Sequence, residues 1–253
     1  RDSIRASCDQ FVDISAFNDG EAANLIHRDG VDILVDLKGH TRHNRLGICA
    51  RRPAPLQATY LGFPGTSGAE FFDYILTDKV VTPPETLECL SESAVFLPNT
   101  YQCTDNTQKY INKNTVHYLD IRNKFSFIFC SFNNPIKIEK VFFEIWMNLL
   151  KSVPNSALWI LQNNLRAKEN LSRAADRAGV EPDHIVFAEM LPRARHLERM
   201  SCADLALDTQ FYNGHTTTSD ALWAGLPVLT MEGRHFASRV SSSLLLAMNL
   251  PEL

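Results

Sequence analysis

One stretch of the chain concentrates hydroxyls, an imidazole and a carboxylate: Asp208-Thr209-Gln210-Phe211-Tyr212-Asn213-Gly214-His215-Thr216-Thr217-Thr218-Ser219-Asp220. Ala203–Asp208 in front of it and Pro227–Met231 behind it read as short buried strands. Asn213-Gly214 predicts a turn, and the hydroxyl run opens a helix that Gly225 closes. A helical crossover between parallel strands puts the loop at a strand's carboxyl end, where ligands gather, and free N–H groups at a helix start attract anions. Thr216, Thr217 and Thr218, with His215 beside them, therefore suit a phosphate or diphosphate. An acid in the first turn repels a bound phosphate, so Asp220 must face elsewhere if one binds, and sugar hydroxyls fit its chemistry. The competing reading is an ordinary capping box, Thr217 with Asp220 three residues on.

Two further groups fall after strands and so on the same rim. Lys137 ends the loop Ser131–Lys137, and Arg193, His196 and Arg199 lie three apart on one side of a helix begun by Pro192. A stacking imidazole and fixed cations would suit a nucleoside diphosphate, and a lysine facing a helix terminus would suit charge developing on a leaving diphosphate. A surface lysine and a solvated basic face remain the alternatives. No carboxylate cluster or His/Cys set has metal-ligand spacing, so a metal-free mechanism is expected.

The elements that must position these groups alternate regularly. Phe125–Cys130 (strand), an apolar stripe at 138, 141, 142, 145, 146, 149 and 150 (helix), Ala157–Leu161 (strand), 167–178 (helix) and Ile185–Phe187 (strand) lead into the opening unit, and Phe236–Met248 reads as a last helix. Such alternation predicts a doubly wound, mostly parallel sheet. The first half predicts strands at Phe11–Ile14, Val31–Leu37, Gln57–Leu61, Asp73–Asp78 and Ala94–Leu97, with a helix over Gly20–Asp29. Lys38-Gly39-His40-Thr41 and Gly62–Gly68 follow strands and read as walls of a cleft. The basic cluster Arg42, His43, Arg45, Arg51 and Arg52 reads as solvated surface or as a wall for an anion. A polar stretch within 99–123 reads as a linker.

At 253 residues, with 45% hydrophobic and 21% charged residues, there is room for one large domain or two lobes. A net charge of −4 exerts no pull toward nucleic acid or membrane. The sequence contains no apolar run of membrane-spanning length, and it does not open on a signal peptide. Six scattered cysteines without a C-x-x-C pair point to a reduced, cytoplasmic or nuclear protein. The chain begins at Arg1 and stops at Leu253, and is expected to be a fragment.

LDTQFYNGHTTTSDALWAG at 207–225, RRPAPLQATYLGFPGTSG at 51–68 and FNNPIKI at 132–138 together resemble the protein O-GlcNAc transferase family, and VPNSALWIL at 153–161 and the His196-x-x-Arg199 helix fit it as well. The resemblance implies an α/β fold of two Rossmann-like lobes (the GT-B architecture), the first incomplete: a partial catalytic lobe over 1–110 and a donor-binding lobe over 111–253. It implies inverting transfer of GlcNAc from UDP-GlcNAc to Ser or Thr hydroxyls of proteins, without cofactor or metal. By motif, Lys137 resembles the lysine that stabilises the leaving UDP, and Asn134 lies where a glutamine near the phosphates is usual. Arg193 stands in place of a lysine close to the ribose. His196 resembles the histidine packed on uracil, and Arg199 the arginine beside it. His215, Thr216 and Thr217 match the diphosphate-holding residues, Asp220 the ribose-binding acid, and Leu61 and Gly62 the loop bordering the sugar.

The sequence also departs from the family. Tyr212 stands where animal members have cysteine, and an upstream histidine loop and a helical-repeat region have no counterpart between Arg1 and Leu253, so the chain alone is expected to be inactive. Two other functions remain possible: a related protein O-fucosyltransferase using GDP-fucose, against which His215 speaks, and a non-catalytic nucleotide-sugar-binding protein.

Overall fold

The computed structural model describes residues 2–105 and 119–253. The chain forms two compact units. One comprises the described chain up to Thr77 together with Pro84–Leu97, and the other comprises Asp78–Pro83 and the described residues from Pro98 onward. The expected lobe boundary at 110–111 lies outside the described residues.

The first unit is built on four parallel strands in sequence order, β1 (Ile33–Asp36), β2 (Leu56–Thr59), β3 (Tyr74–Thr77) and β4 (Ser93–Phe96). Three helices belong to it: α1 (Asp2–Ala6), α2 (Asp19–Arg28) and the short α3 (Leu46–Cys49). Asn18 caps α2, accepting from Glu21 N while Glu21 reaches back to Asn18 N, which satisfies two otherwise unpaired N–H groups. Ala22 and Ala23 on α2 pack with Ile48 of α3. Phe11–Ile14, expected as a strand, is irregular, and Ile14 spends its carbonyl on Arg45 Nη1 instead of on a neighbouring strand.

Of the arginines read as surface or as an anion wall, Arg45 and Arg52 are braces within this unit. Arg45 binds Asp19 at 2.9 Å and the carbonyls of Ile14 and Phe17, and Arg52 grips both oxygens of Asp73 together with two carbonyls. Guanidinium donors here saturate loop carbonyls that no strand reaches.

The second unit carries a five-stranded parallel sheet in the order β7-β6-β5-β8-β9. Its strands are β5 (Phe127–Ser131), β6 (Ser156–Leu161), β7 (Ile185–Ala188), β8 (Leu205–Leu207) and β9 (Val228–Leu229). The helices are α4 (Leu119–Lys124), α5 (Lys140–Ser152), α6 (Leu165–Arg177), α7 (Arg193–Met200), α8 (Thr216–Trp223) and α9 (Val240–Ala247). Alternate side chains of the central strands enter two cores. Ile128, Cys130, Ala157 and Trp159 face one with Leu197 of α7 and Ala221 of α8, whereas Phe129, Leu158 and Ile160 face the other with Phe143, Trp146 and Met147 of α5. A strand covered on both faces reads as a continuous apolar run, which is how β5 and β6 are legible in the sequence. Each fully buried aromatic or branched side chain stabilises this packing by roughly 1.5–3 kcal/mol.

One expectation fails here, and another is narrowed. The last helix does not run unbroken from Phe236: a 3-10 turn over Phe236–Ser238 comes first, and α9 starts only at Val240. Residues 106–118, the middle of the stretch within which a linker is expected, lie outside the described residues, and the described residues on either side of them are structured. Residues 119–124 form α4, and Tyr101 is 1% exposed, its N–H donating to Asp78 Oδ2 at 2.7 Å. Its polar side chains disguise it because they bind other polar groups of the same unit: Thr100 meets Ser243 at 2.7 Å, and Thr104 meets Ser219.

Candidate functional site

The sheet order of the second unit reverses direction between β5 and β8, so the loops leaving these two strands part to opposite sides and open a crevice at their carboxyl ends. The loop after β5 carries Asn133, Asn134 and Lys137, and the loop after β8 carries Thr209 to His215 and runs into α8. Asp208 sits at the root of this crevice and joins its sides. Its Oδ1 accepts from Gly214 N (2.7 Å), Thr209 N (2.8 Å) and Asn133 Nδ2 (2.9 Å), and its Oδ2 from Thr230 Oγ1 (2.8 Å). Burial pushes the Asp208 carboxyl above the usual range, and the hydroxyls and N–H groups around it, Ser241 and Gly214 foremost, pull the other way. The sequence reading passed over Asp208 and Asn133 as site residues. An acid closing a wholly apolar strand run was the available signal.

Lys137 is not a loose surface group. A 3-10 turn, Pro135–Lys137, carries it, capped by Asn134 Oδ1 accepting from Ile136 N at 3.2 Å. Its Nζ donates to Asn213 O at 2.8 Å and lies 3.8 Å from the Tyr212 ring centroid. Burial lowers its pKa to about 8, partly offset by the attraction of Asp208. Asn134 is exposed at the rim and also accepts from Asn163 Nδ2 at 2.8 Å.

His215 is the N-cap residue of α8 and makes no side-chain cap, so the helix opens with its first N–H groups unclaimed by that side chain. Burial and then the neighbouring Lys137 hold its ring neutral, with a pKa lowered to about 4. Thr216 is exposed and Thr217 half-buried at this mouth, whereas Thr218 turns inward to Ser241 Oγ at 2.8 Å. The capping box does not form. Thr217 lies inside the helix, and Asp220 turns away from the N-terminus to receive Arg193 Nη2 at 2.6 Å. Burial raises the Asp220 pKa and Arg193 partly opposes the rise.

On α7, His196 packs edge-on against Phe132 with ring centroids 5.3 Å apart. Its Nδ1 accepts from Arg199 Nη2 at 2.5 Å, since a guanidinium has only donors. Burial and then Arg199 lower the His196 pKa to about 4, so its neutral ring carries the proton on Nε2. Arg199, expected among the ligand-contacting residues, is 2% exposed. It stacks over Phe132 and Trp159 and donates to Glu189 O at 2.6 Å as well as to His196, which fixes the imidazole's orientation.

Leu61 and Gly62 lie in the first unit, after β2. Leu61 adopts φ 68°, a left-handed conformation that costs a branched residue about 1–2 kcal/mol. A Cβ on Gly62 would overlap the Leu37 carbonyl oxygen and come within 2.9 Å of Lys38 Cα, so only glycine lets these two backbones pass. In the same unit His40 Nε2 bonds Ser67 O at 2.7 Å, and Glu92 takes Thr66 Oγ1 and Ser67 N at 2.6 Å each, which ties the two strand-end loops together.

The crevice thus brings together a neutral imidazole, a half-buried lysine and a helix start. The profile of glycosyl transferase family 41 matches residues 1–124 and 117–253. The chain belongs to this family. It is 38% identical over 255 residues to a probable UDP-N-acetylglucosamine–peptide N-acetylglucosaminyltransferase of Arabidopsis thaliana, covering 99% of this chain and 26% of that protein. Over 365 residues it is 26% identical to the corresponding transferase of Caenorhabditis elegans, covering all of this chain and 32% of that protein. Among solved structures, a mutant of Thermobaculum terrenum O-GlcNAc transferase superposes with a TM-score of 0.88 at 33% identity, covering 100% of this chain and 48% of that one. The chain thus spans about a quarter of the first of these relatives and about half of the solved structure. Family 41 membership accounts for the two parallel α/β sheets, the fold class that the GT-B resemblance implied.

Proposed function

We propose that this chain is part of the catalytic region of an enzyme that transfers GlcNAc from UDP-GlcNAc to Ser or Thr hydroxyls of proteins, with inversion at the anomeric carbon. The observation that carries the proposal is Lys137 Nζ, held at the loop that opens α8. In a single displacement the acceptor oxygen attacks the anomeric carbon, the bond from that carbon to the diphosphate oxygen breaks, and UDP departs with added negative charge. Lys137 and the first N–H groups of α8 meet that charge as it grows, and a group that binds the transition state more tightly than the ground state accelerates the step.

His196 offers the face for uracil, His215, Thr216 and Thr217 line the diphosphate, Asp220 and Arg193 meet the ribose, and Asn134 lies at the rim near the phosphates. Among the described residues no three His, Cys, Asp or Glu side chains cluster as metal ligands. The proposal places charge neutralisation on Lys137 and the helix start, so transfer should survive chelation by EDTA. Six free cysteines suit a reducing compartment, and a cytoplasmic or nuclear location belongs to the proposal. Among the described residues no helix is long and apolar enough to cross a membrane.

Calorimetric titration with UDP and GDP tests the donor. Tighter binding of UDP is the expected result, and tighter binding of GDP would transfer the case to a fucose donor.

A further inference from the structure

Lys137 must reach across the crevice from the turn after β5 to the loop after β8. Its contact with Asn213 O uses one of three N–H bonds and leaves the long side chain free to swing about that bond. A second contact removes this freedom. The ammonium lies over the Tyr212 ring, 3.8 Å from its centroid, and the same ring packs against His215 with centroids 4.9 Å apart and planes tilted by 58°. Tyr212 therefore stands between the two groups of the anion site and touches both. It remains 40% exposed, and neither contact uses its hydroxyl.

We infer that Tyr212 is a positioning residue for Lys137: its ring face, not its phenol, holds the ammonium in place and aims it at the start of α8. The inference rests on the reading of Lys137 as the group that meets the leaving diphosphate. A ring quadrupole attracts a cation most where water is excluded, and Lys137 is a half-buried one. The other titratable groups around the ammonium are Asp208, which draws it, His215, whose ring burial and then the lysine keep neutral, and the Tyr212 phenol, whose pKa burial raises. Among these the ring is the contact that a substitution can remove without opening the site, because leucine fills similar apolar space and has no π face.

The test is a titration of Lys137 by NMR in the 253-residue chain, with lysine Cε labelled and the signal assigned through Lys137→Arg. Tyr212→Phe keeps the ring and should leave the midpoint where it is. Tyr212→Leu keeps the burial and loses the attraction, so the midpoint should fall by about one pH unit. In transfer assays of the whole enzyme of which this chain is part, Tyr212→Leu should lower kcat about tenfold with little change in the donor KM, and Tyr212→Phe should retain wild-type turnover. A Leu variant that titrates like the wild type, or a Phe variant that shifts with it, overturns the inference. Melting curves verify that Tyr212→Leu is folded, and Tyr212→Met repeats the comparison if it is not. The NMR result stands whether or not the chain binds UDP, so failure of the donor assignment and failure of the inference are separable.

Discussion

Arg193 Nη2 lies 2.6 Å from Asp220 Oδ1, so the acid in the second turn of α8 is held by the arginine that opens α7. This pair ties two helices on the same face of the sheet, and it commits the Asp220 carboxylate to α7 and not to the N–H groups that open α8. A nucleotide whose ribose bonds Asp220 must share the carboxylate with Arg193 or displace it.

Asp220→Asn should weaken UDP binding about tenfold, as expected for a hydrogen bond to a charged acceptor, while inorganic diphosphate binds unchanged or more tightly. Two calorimetric titrations measure this. Equal UDP affinity in the two proteins would show that Asp220 serves only its bridge to Arg193.

Lys137→Met should reduce transfer by about a hundredfold or more and change UDP affinity far less, because the cation acts mainly as the bond breaks. The wild-type profile should carry the same signature. The Lys137 ammonium is charged below a pKa of about 8, so kcat/KM for the donor should decline as pH rises through that value, and Lys137→Arg should move the decline out of range. Near-normal turnover of the Met variant in a radiolabelled sugar-transfer assay would return Lys137 to the status of a structural lysine.

Acid should destabilise the second unit through two histidines. His196 and His215 stay neutral in the fold to about pH 4, whereas the unfolded chain takes up protons near 6.5. The unfolded state binds more protons between those values, so stability is present above 6.5 and is lost as pH falls toward 4. The combined loss should be on the order of 2–3 kcal/mol after allowance for partial exposure. Urea melts at pH 7 and pH 4.5 measure it, and replacing both rings by Gln should flatten the dependence.

Gly62→Ala should cost the first unit about 2 kcal/mol or more, since the added methyl meets backbone at Leu37 and Lys38, which cannot rotate away. The loss belongs to folding of this unit, so UDP binding by the second unit should persist. A methyl tolerated at no cost would mean that these loops are looser than their hydrogen bonds indicate.

By itself the sequence determined most of the second unit. The apolar runs of β5 and β6 are legible because both faces of those strands are buried. The stripe at 138–150 marks α5 as a helix but misplaces its buried face: Trp146 and Leu150 are buried as expected, Val141 and Ile145 are exposed, and Phe143 and Met147 complete the face instead. Gly225 and Gly30 mark helix ends because both adopt positive φ, 71° and 68°, where other residues are strained. Spacing also put His215, Thr216 and Thr217 at a helix start behind a strand. Local chemistry sufficed for these, since each depends on near neighbours in the chain.

Tertiary structure alone decided the partners. Asp220 follows Thr217 at capping-box spacing, yet its carboxylate goes to Arg193, 27 residues earlier, because α7 and α8 share one face of the sheet. Arg199 looks like a helix-surface cation, and only the packing of Phe132 and Trp159 against it shows that it is buried. The arginines at 45 and 52 looked like surface charge and proved to be braces for loops far away in sequence. Asp208 reads as the polar end of a strand until the fold gathers Asn133, Gly214 and Thr230 around it. A charged side chain can be satisfied by solvent or by any of several distant donors, and periodicity carries no information about which. That choice is made when the strands on either side of the switch point are brought together.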